Sequence, residues 1–233
     1  MINAVQFILY FTIRPFNKSL YRNINYYLMY SIMAQILFLA EWWSGSEVRV
    51  YTDPEDRKLW GREHSLIIMN HTYEVDWLMG WMVADRCGVL GMLLFAEGTR
   101  FTQQKHQASM EFARERGLQQ LKRHLIPRTR GFIQCAQSLQ GHFPVIYDVT
   151  VGFNTKEGAE PTVLNMLQGR RVVGEMYIRR LPLRDVPVGD DQKTSQYLHN
   201  LYQTKDRLLD SYCNTGSFTS QNDMPKFVVV MIR

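Results

Sequence analysis

Leu66-Ile67-Ile68-Met69-Asn70-His71-Thr72-Tyr73-Glu74-Val75-Asp76 (LIIMNHTYEVD) is the stretch on which the fold turns. Four apolar residues in a row suit a buried strand, and the polar residues after them open a helical pattern that runs from Glu74 to Arg86. A strand that ends at a turn and feeds a helix is the unit of an α/β sheet, and ligands gather at the carboxyl ends of such strands. His71 sits in that turn. Positions five apart on an ideal helix diverge by about 140°, so His71 and Asp76 would part if both were helical. With His71 before the helix, its ring swings back to Asp76, and the carboxylate then fixes the imidazole tautomer and favours the protonated ring. On spacing alone the pair reads first as a helix cap with a core contact.

Outward from this unit the same texture repeats. Short apolar or alternating runs at Val48–Tyr51, Leu93–Ala96, Val145–Phe153 and Val172–Ile178 predict further strands. Helical patterns lie at Ser109–Arg116, Phe132–Gln140 and Thr194–Tyr212, the last with one apolar stripe from Tyr197 to Tyr212. Strands alternating with helices predict a mostly parallel sheet covered on both faces. After Pro225 the run Phe227–Ile232 (FVVVMI) reads as an edge strand, a frayed end or an interrupted helix.

The first forty residues differ. They contain no Asp or Glu, and Arg14, Lys18 and Arg22 are their only charges. Apolar stretches at Ala4–Ile13 and Tyr26–Ala40 flank this basic link, and Trp42 and Trp43 follow. As helices they measure about 15 Å and 22 Å against a hydrocarbon core of about 30 Å, so neither spans comfortably. The expected organisation is a membrane-associated helical hairpin over 1–45 dipping into one leaflet, an α/β body over 46–214, and a tail over 215–233. Two buried core helices, or a single span through residues 26–43, are the alternatives for the hairpin.

Composition sets the limits. The 233 residues are 45% hydrophobic and 21% charged, which excludes a disordered or collagen-like chain. The net charge of +5 favours anionic partners such as phospholipid head groups, CoA or nucleic acid. Aromatic residues are not interleaved with the Lys and Arg residues as a nucleic-acid stacking platform requires, so no nucleic-acid partner is expected. Cys87, Cys135 and Cys213 form neither a CxxC pair nor a zinc pattern, and His71 and Asp76 lack further metal ligands.

Two further motifs carry candidate chemistry. Glu97-Gly98-Thr99-Arg100 follows the Leu93–Ala96 run: Gly98 permits a tight turn, and Arg100 offers a bidentate fork for phosphate, with Thr99 and backbone N–H groups as further donors. Lys105 and His106 extend the positive surface. Pro127-Arg128-Thr129-Arg130-Gly131 follows Lys122 and Arg123. Each alone fits a solvated turn or loop. No G-x-S-x-G elbow supplies a serine for His71, so the base would serve a substrate hydroxyl or water.

In order, N-H-x-x-x-x-D at 70–76, E-G-T-R-F-T at 97–102 and L-I-P-R-T-R-G at 125–131 resemble the motifs of the glycerolipid acyltransferases. The chain is most similar to eukaryotic lysophosphatidic acid acyltransferases of the gamma, delta and epsilon subgroup. Glu41-Trp42-Trp43, Tyr147-Asp148-Val149-Thr150 and L-H-N-L-Y-Q-x-K-D at 198–206 extend the likeness over nearly the whole chain. The resemblance implies transfer of a fatty acyl group from acyl-CoA, a co-substrate, to the hydroxyl of lysophosphatidic acid. It implies no other cofactor and no metal. His71 would be the base and Asp76 its orienting carboxylate. Glu97, Gly98, Thr99 and Arg100 would meet the acceptor's phosphate, and Pro127 and Arg128 would contribute to substrate binding. An endoplasmic reticulum membrane location with a cytosolic body also follows from it. The pattern departs in one place: only 20 residues separate Asp76 from Glu97, where the family has several dozen. The body therefore reads as internally shortened between 88 and 95, with an incomplete sheet. The alternative function is a catalytically impaired variant that binds lipid or partner without turnover.

Overall fold

A computed structural model describes residues 2–218 and 228–232. Two helices, α1 (Ile2–Thr12) and α2 (Lys18–Phe38), come first, joined by a turn in which the Asn17 side chain caps α2 by accepting from the Leu20 N–H. A π-helical turn, Leu39–Trp43, then leads into the α/β body. That body runs β1 (Glu47–Thr52), α3 (Pro54–Arg57), β2 (His64–Met69), α4 (Asp76–Cys87), β3 (Leu90–Leu94), α5 (Gln103–Glu115), α6 (Thr129–Leu139), β4 (Val145–Phe153), α7 (Val163–Leu167), β5 (Val173–Pro182), α8 (Asp191–Thr215) and β6 (Val228–Ile232).

The strands form one sheet in the order β3-β2-β4-β5-β1-β6. β3, β2 and β4 run parallel, as do β5 and β1, while β4–β5 and β1–β6 are antiparallel. The sheet is thus mostly parallel, in two blocks of opposite direction. The run after Pro225 resolves as an edge strand over Val228–Ile232.

Period-two alternation sorts side chains to the two faces. On β2, Leu66 and Ile68 join a core with Met110, Ala113, Phe132, Ala136, Leu198 and Tyr202, beneath α5, α6 and α8. Met69 faces the other way, into a core with Val48, Val50, Met79, Met82 and Val149, closed by α4 and the end of α2. Two packed faces explain why the central strands read as nearly continuous apolar runs.

Several boundaries differ from the pattern reading. The strand expected at Leu93–Ala96 lies at Leu90–Leu94, because pairing with β2 from His64↔Leu90 to Ile68↔Leu94 sets its register and the chain turns after Phe95. α4 begins at Asp76, since that carboxylate accepts the N–H groups of Thr72 and Tyr73 and holds them in a turn. α5 begins at Gln103 instead of Ser109, capped by Thr102, whose hydroxyl accepts from the Lys105 N–H. That first turn is polar throughout, so apolar periodicity carries no signal there.

The N-terminal helices meet beside their turn, with the Tyr10 and Tyr21 ring centroids 6.2 Å apart. Leu37 is the buried residue of α2, while Phe7, Phe11, Phe16, Tyr26, Tyr27 and Trp42 are exposed, so these are not core helices. No described helix is long and apolar enough to cross a membrane.

Candidate active site

The turn between β2 and α4 is fixed from both sides. Asn70, fully buried, spans to β4: its side-chain amide donates to the Val151 carbonyl and accepts from the Val151 N–H, at 3.0 and 2.7 Å. His71 comes next, outside any regular element, with its side chain 23% exposed. Its Nδ1 lies 3.0 Å from Asp76 Oδ2, the same oxygen that takes the N–H groups of Thr72 and Tyr73 at 2.6 and 2.8 Å. An ionised carboxylate only accepts, so it selects the tautomer with the proton on Nδ1 and leaves Nε2 as the basic nitrogen. The Phe95 ring packs against the imidazole, with centroids 4.5 Å apart.

Asp76 is 0% exposed, and its Oδ1 has no hydrogen-bond partner among the described residues. Burial pushes its carboxyl above the ordinary value, against the downward pull of His71 and the two N–H groups. Such a carboxylate gains from a neighbouring cation, which is what His71 becomes on accepting a proton.

Glu97 binds the motifs to one another. Buried by the turn after β3, it accepts the His71 N–H on Oε1 and the Leu125 N–H on Oε2, both at 3.1 Å. Burial raises its carboxyl too, opposed mainly by the nearby His124. The backbone adds two more ties: the Phe101 N–H donates to the His71 carbonyl at 2.8 Å, and the Arg128 N–H to the Ala96 carbonyl at 2.7 Å. Three separate sequence motifs are therefore one bonded unit.

Beside it lies an open groove of about 400 Å³, walled by Glu97, Thr99, Lys105, Ser109, Leu125 and Arg128. Lys105 Nζ donates to Thr99 Oγ1 at 2.5 Å and to the Arg100 carbonyl at 3.3 Å. Gly98 has a φ of +70° and passes directly under the Arg128 side chain. Arg100, which sequence reasoning favoured as the phosphate ligand, instead points to Glu74, 3.5 Å away, outside the groove walls. Pro127 is buried in the loop before α6. The groove's cations are thus Lys105 and Arg128. A second, apolar cavity of about 410 Å³ lies between α2, α4 and the sheet, where Tyr30, Trp81, Ile67, Met69, Leu93 and Met176 contribute.

Sequence reasoning did not find the packing of Phe95 on His71 or the bracing role of Glu97. Both depend on contacts between segments more than twenty residues apart, with no local signal. Among the described residues, no group of three or more His, Cys, Asp or Glu side chains is placed to hold a metal ion.

The profile of the family described as "Acyltransferase C-terminus" matches residues 165–232. The 1-acyl-sn-glycerol-3-phosphate acyltransferase delta of Rattus norvegicus is 35% identical over 272 positions, covering 94% of this chain and 71% of the relative. The delta protein of Homo sapiens is 34% identical over 281 positions (97% and 73%), and the human gamma protein 35% over 265 (91% and 70%). A match of 272 positions exceeds the chain's own 233 residues, so the rat relative carries internal positions that this chain lacks. No solved structure matches. On this identity and coverage, the chain belongs to the 1-acyl-sn-glycerol-3-phosphate acyltransferases.

Proposed function

We propose that the chain transfers a fatty acyl group from acyl-CoA to the free hydroxyl of 1-acyl-glycerol-3-phosphate, giving phosphatidic acid. The observation that carries this reading is the His71–Asp76 pair, whose basic nitrogen has no hydrogen-bond partner among the described residues, tied through Glu97 to a groove that presents Lys105 and Arg128. His71 Nε2 accepts the hydroxyl proton as the oxygen attacks the thioester carbonyl. The C–S bond then breaks, and the proton passes from His71 to the departing CoA thiolate. No acyl-enzyme is needed, in keeping with the absence of a serine elbow. Lys105 and Arg128 suit the phosphate of the acceptor, with Thr99 beside them; Gly98 lets Arg128 lie over the turn, and Pro127, buried next to Arg128 in the chain, leads into it. The apolar cavity suits a hydrocarbon chain, because its lining offers few polar groups to leave unpaired.

The family resemblance implies a place on the cytosolic face of the endoplasmic reticulum membrane, and the N-terminal helices suit a bilayer surface. Exposed Phe and Tyr side chains, with Trp42 at 73% exposure, suit the boundary between head groups and acyl chains. Arg14, Lys18 and Arg22 suit anionic head groups.

The test is acyl transfer by the purified chain in detergent micelles, from labelled acyl-CoA to lysophosphatidic acid. General-base catalysis contributes about 10²–10⁴-fold, so His71→Ala is expected to remove transfer by that factor. A robust rate unchanged by the substitution would sink the mechanism. A second reading, lipid binding without turnover, is favoured by one feature: β3 is an edge strand that exposes Met92 and Leu93 beside the site. Retained lysophosphatidic acid binding with no transfer would support it.

A further inference from the structure

The stretch L-H-N-L-Y-Q-x-K-D at 198–206 has no part in the mechanism above, yet its last two residues reach the site from beneath. Both lie on α8. Lys205, fully buried, donates to the Val149 carbonyl at 2.6 Å and the Ile68 carbonyl at 3.3 Å, and is paired with Asp148. It thereby ties the end of β2, just before Asn70 and His71, to the middle of β4.

Asp206 holds the other side. Its Oδ2 accepts the Lys122 N–H at 2.8 Å, and its Oδ1 accepts the Arg123 N–H at 2.7 Å. The same Oδ1 lies 3.0 Å from Nδ1 of His124, a ring that is fully buried. The other nitrogen of His124 has no hydrogen-bond partner among the described residues, so Asp206 is its polar anchor. Three successive residues are thus gathered on one carboxylate. The next residue is Leu125, whose N–H holds Glu97, and Glu97 holds the N–H of His71.

We propose that Asp206 and His124 are positioning residues for the base, acting through Leu125 and Glu97 to hold His71 in register with Asp76. This rests on the reading of His71 as the base. A clamp of this kind acts on alignment instead of substrate affinity, and a displacement of about 1 Å costs up to about 100-fold in rate. Asp206 itself touches neither the groove nor the imidazole of His71.

Two measurements test it, one of them independent of turnover. Histidine modification by diethyl pyrocarbonate, followed peptide by peptide, reports how firmly His71 is held. In Asp206→Ala and His124→Ala, modification of His71 is expected to rise several-fold, with the exposed His64 and His142 unchanged. His124→Asn keeps an N–H where Nδ1 lies and is expected to return His71 to its original reactivity. In the transfer assay, kcat is expected to fall about tenfold or more with KM for acyl-CoA within about twofold, since alignment is what is lost. Unchanged His71 reactivity in a folded Asp206→Ala protein overturns the proposal. So does a loss that His124→Asn does not rescue. If Asp206→Ala does not fold, Asp206→Asn and His124→Ala carry the same comparison. If no form of the chain turns over, the acyltransferase reading fails, while His71 reactivity still decides the clamp.

Discussion

Gly98 shows how one residue answers two demands at once. Its φ of +70° is open to glycine at little cost, and a Cβ there would lie 2.8 Å from Arg128 Cδ and 3.0 Å from Nε. Gly98→Ala is therefore expected to lower unfolding free energy by about 1–2 kcal/mol, the cost of the left-handed backbone, as read by urea denaturation. It is also expected to raise KM for the lysophospholipid more than it lowers kcat, because Arg128 lines the groove and must move. An alanine variant with unchanged stability and KM would show that neither constraint operates. At this scale the sequence yields the identities and hides the partners. His71 and Asp76 are legible from a spacing of five residues across a strand-to-helix turn. Glu97 stands out only as part of a motif, and its two N–H partners lie 26 and 28 residues away. Arg100 is a related case: motif position cannot reveal that Glu74 is its neighbour.

Among the elements, α8 was readable as a stripe and not as a clamp. Leu198, Leu201, Tyr202, Leu208, Leu209 and Tyr212 are all buried, as the period of 3.6 predicts. Lys205 occupies the same stripe, and its burial among backbone carbonyls follows from that position once the sheet is known. The first two helices pose the opposite case, an apolar pattern that meets the core only at the end of α2. Their exposed aromatic side chains and three cations predict binding to bilayers containing anionic lipid. At about 1 kcal/mol for each Lys or Arg near the surface, affinity for anionic over neutral vesicles should differ by roughly two orders of magnitude and fall with added salt. Vesicle flotation measures this, and Trp42→Ala together with Phe11→Ser is expected to weaken binding to both vesicle types by removing buried apolar area. A chain that stays at the bottom of the gradient with either lipid would refute the interfacial placement.

The whole molecule turns on the edge at β3. Only Gly88 and Val89 separate α4 from this strand, and β3 then feeds the turn that carries Glu97 and the groove. One flank of β3 pairs with β2, while its other flank has no strand beside it among the described residues. Such an edge is free to slip or to pair elsewhere unless something covers it. The relatives align over more positions than this chain possesses, and the resemblance read from the sequence implies that the shortfall falls in the 20 residues between Asp76 and Glu97. The His71–Asp76 pair is held on β2 and tied to β4 through Asn70, and neither strand lies between Asp76 and Glu97; on the proposed mechanism the base therefore stands clear of that interval, except for its contacts with Phe95 and Glu97. The wall formed after β3 rests on an edge strand. Inserting the corresponding interval of the rat delta relative between Gly88 and Val89 is therefore expected to raise acyl transfer by about tenfold or more, through better placement of the groove against the base. His71→Ala should abolish transfer in both backgrounds, because the base is common to them. Lysophosphatidic acid binding by calorimetry should tighten in parallel. Equal rates and equal affinities with and without the interval would mean that β3 is sufficient as the edge of a working site.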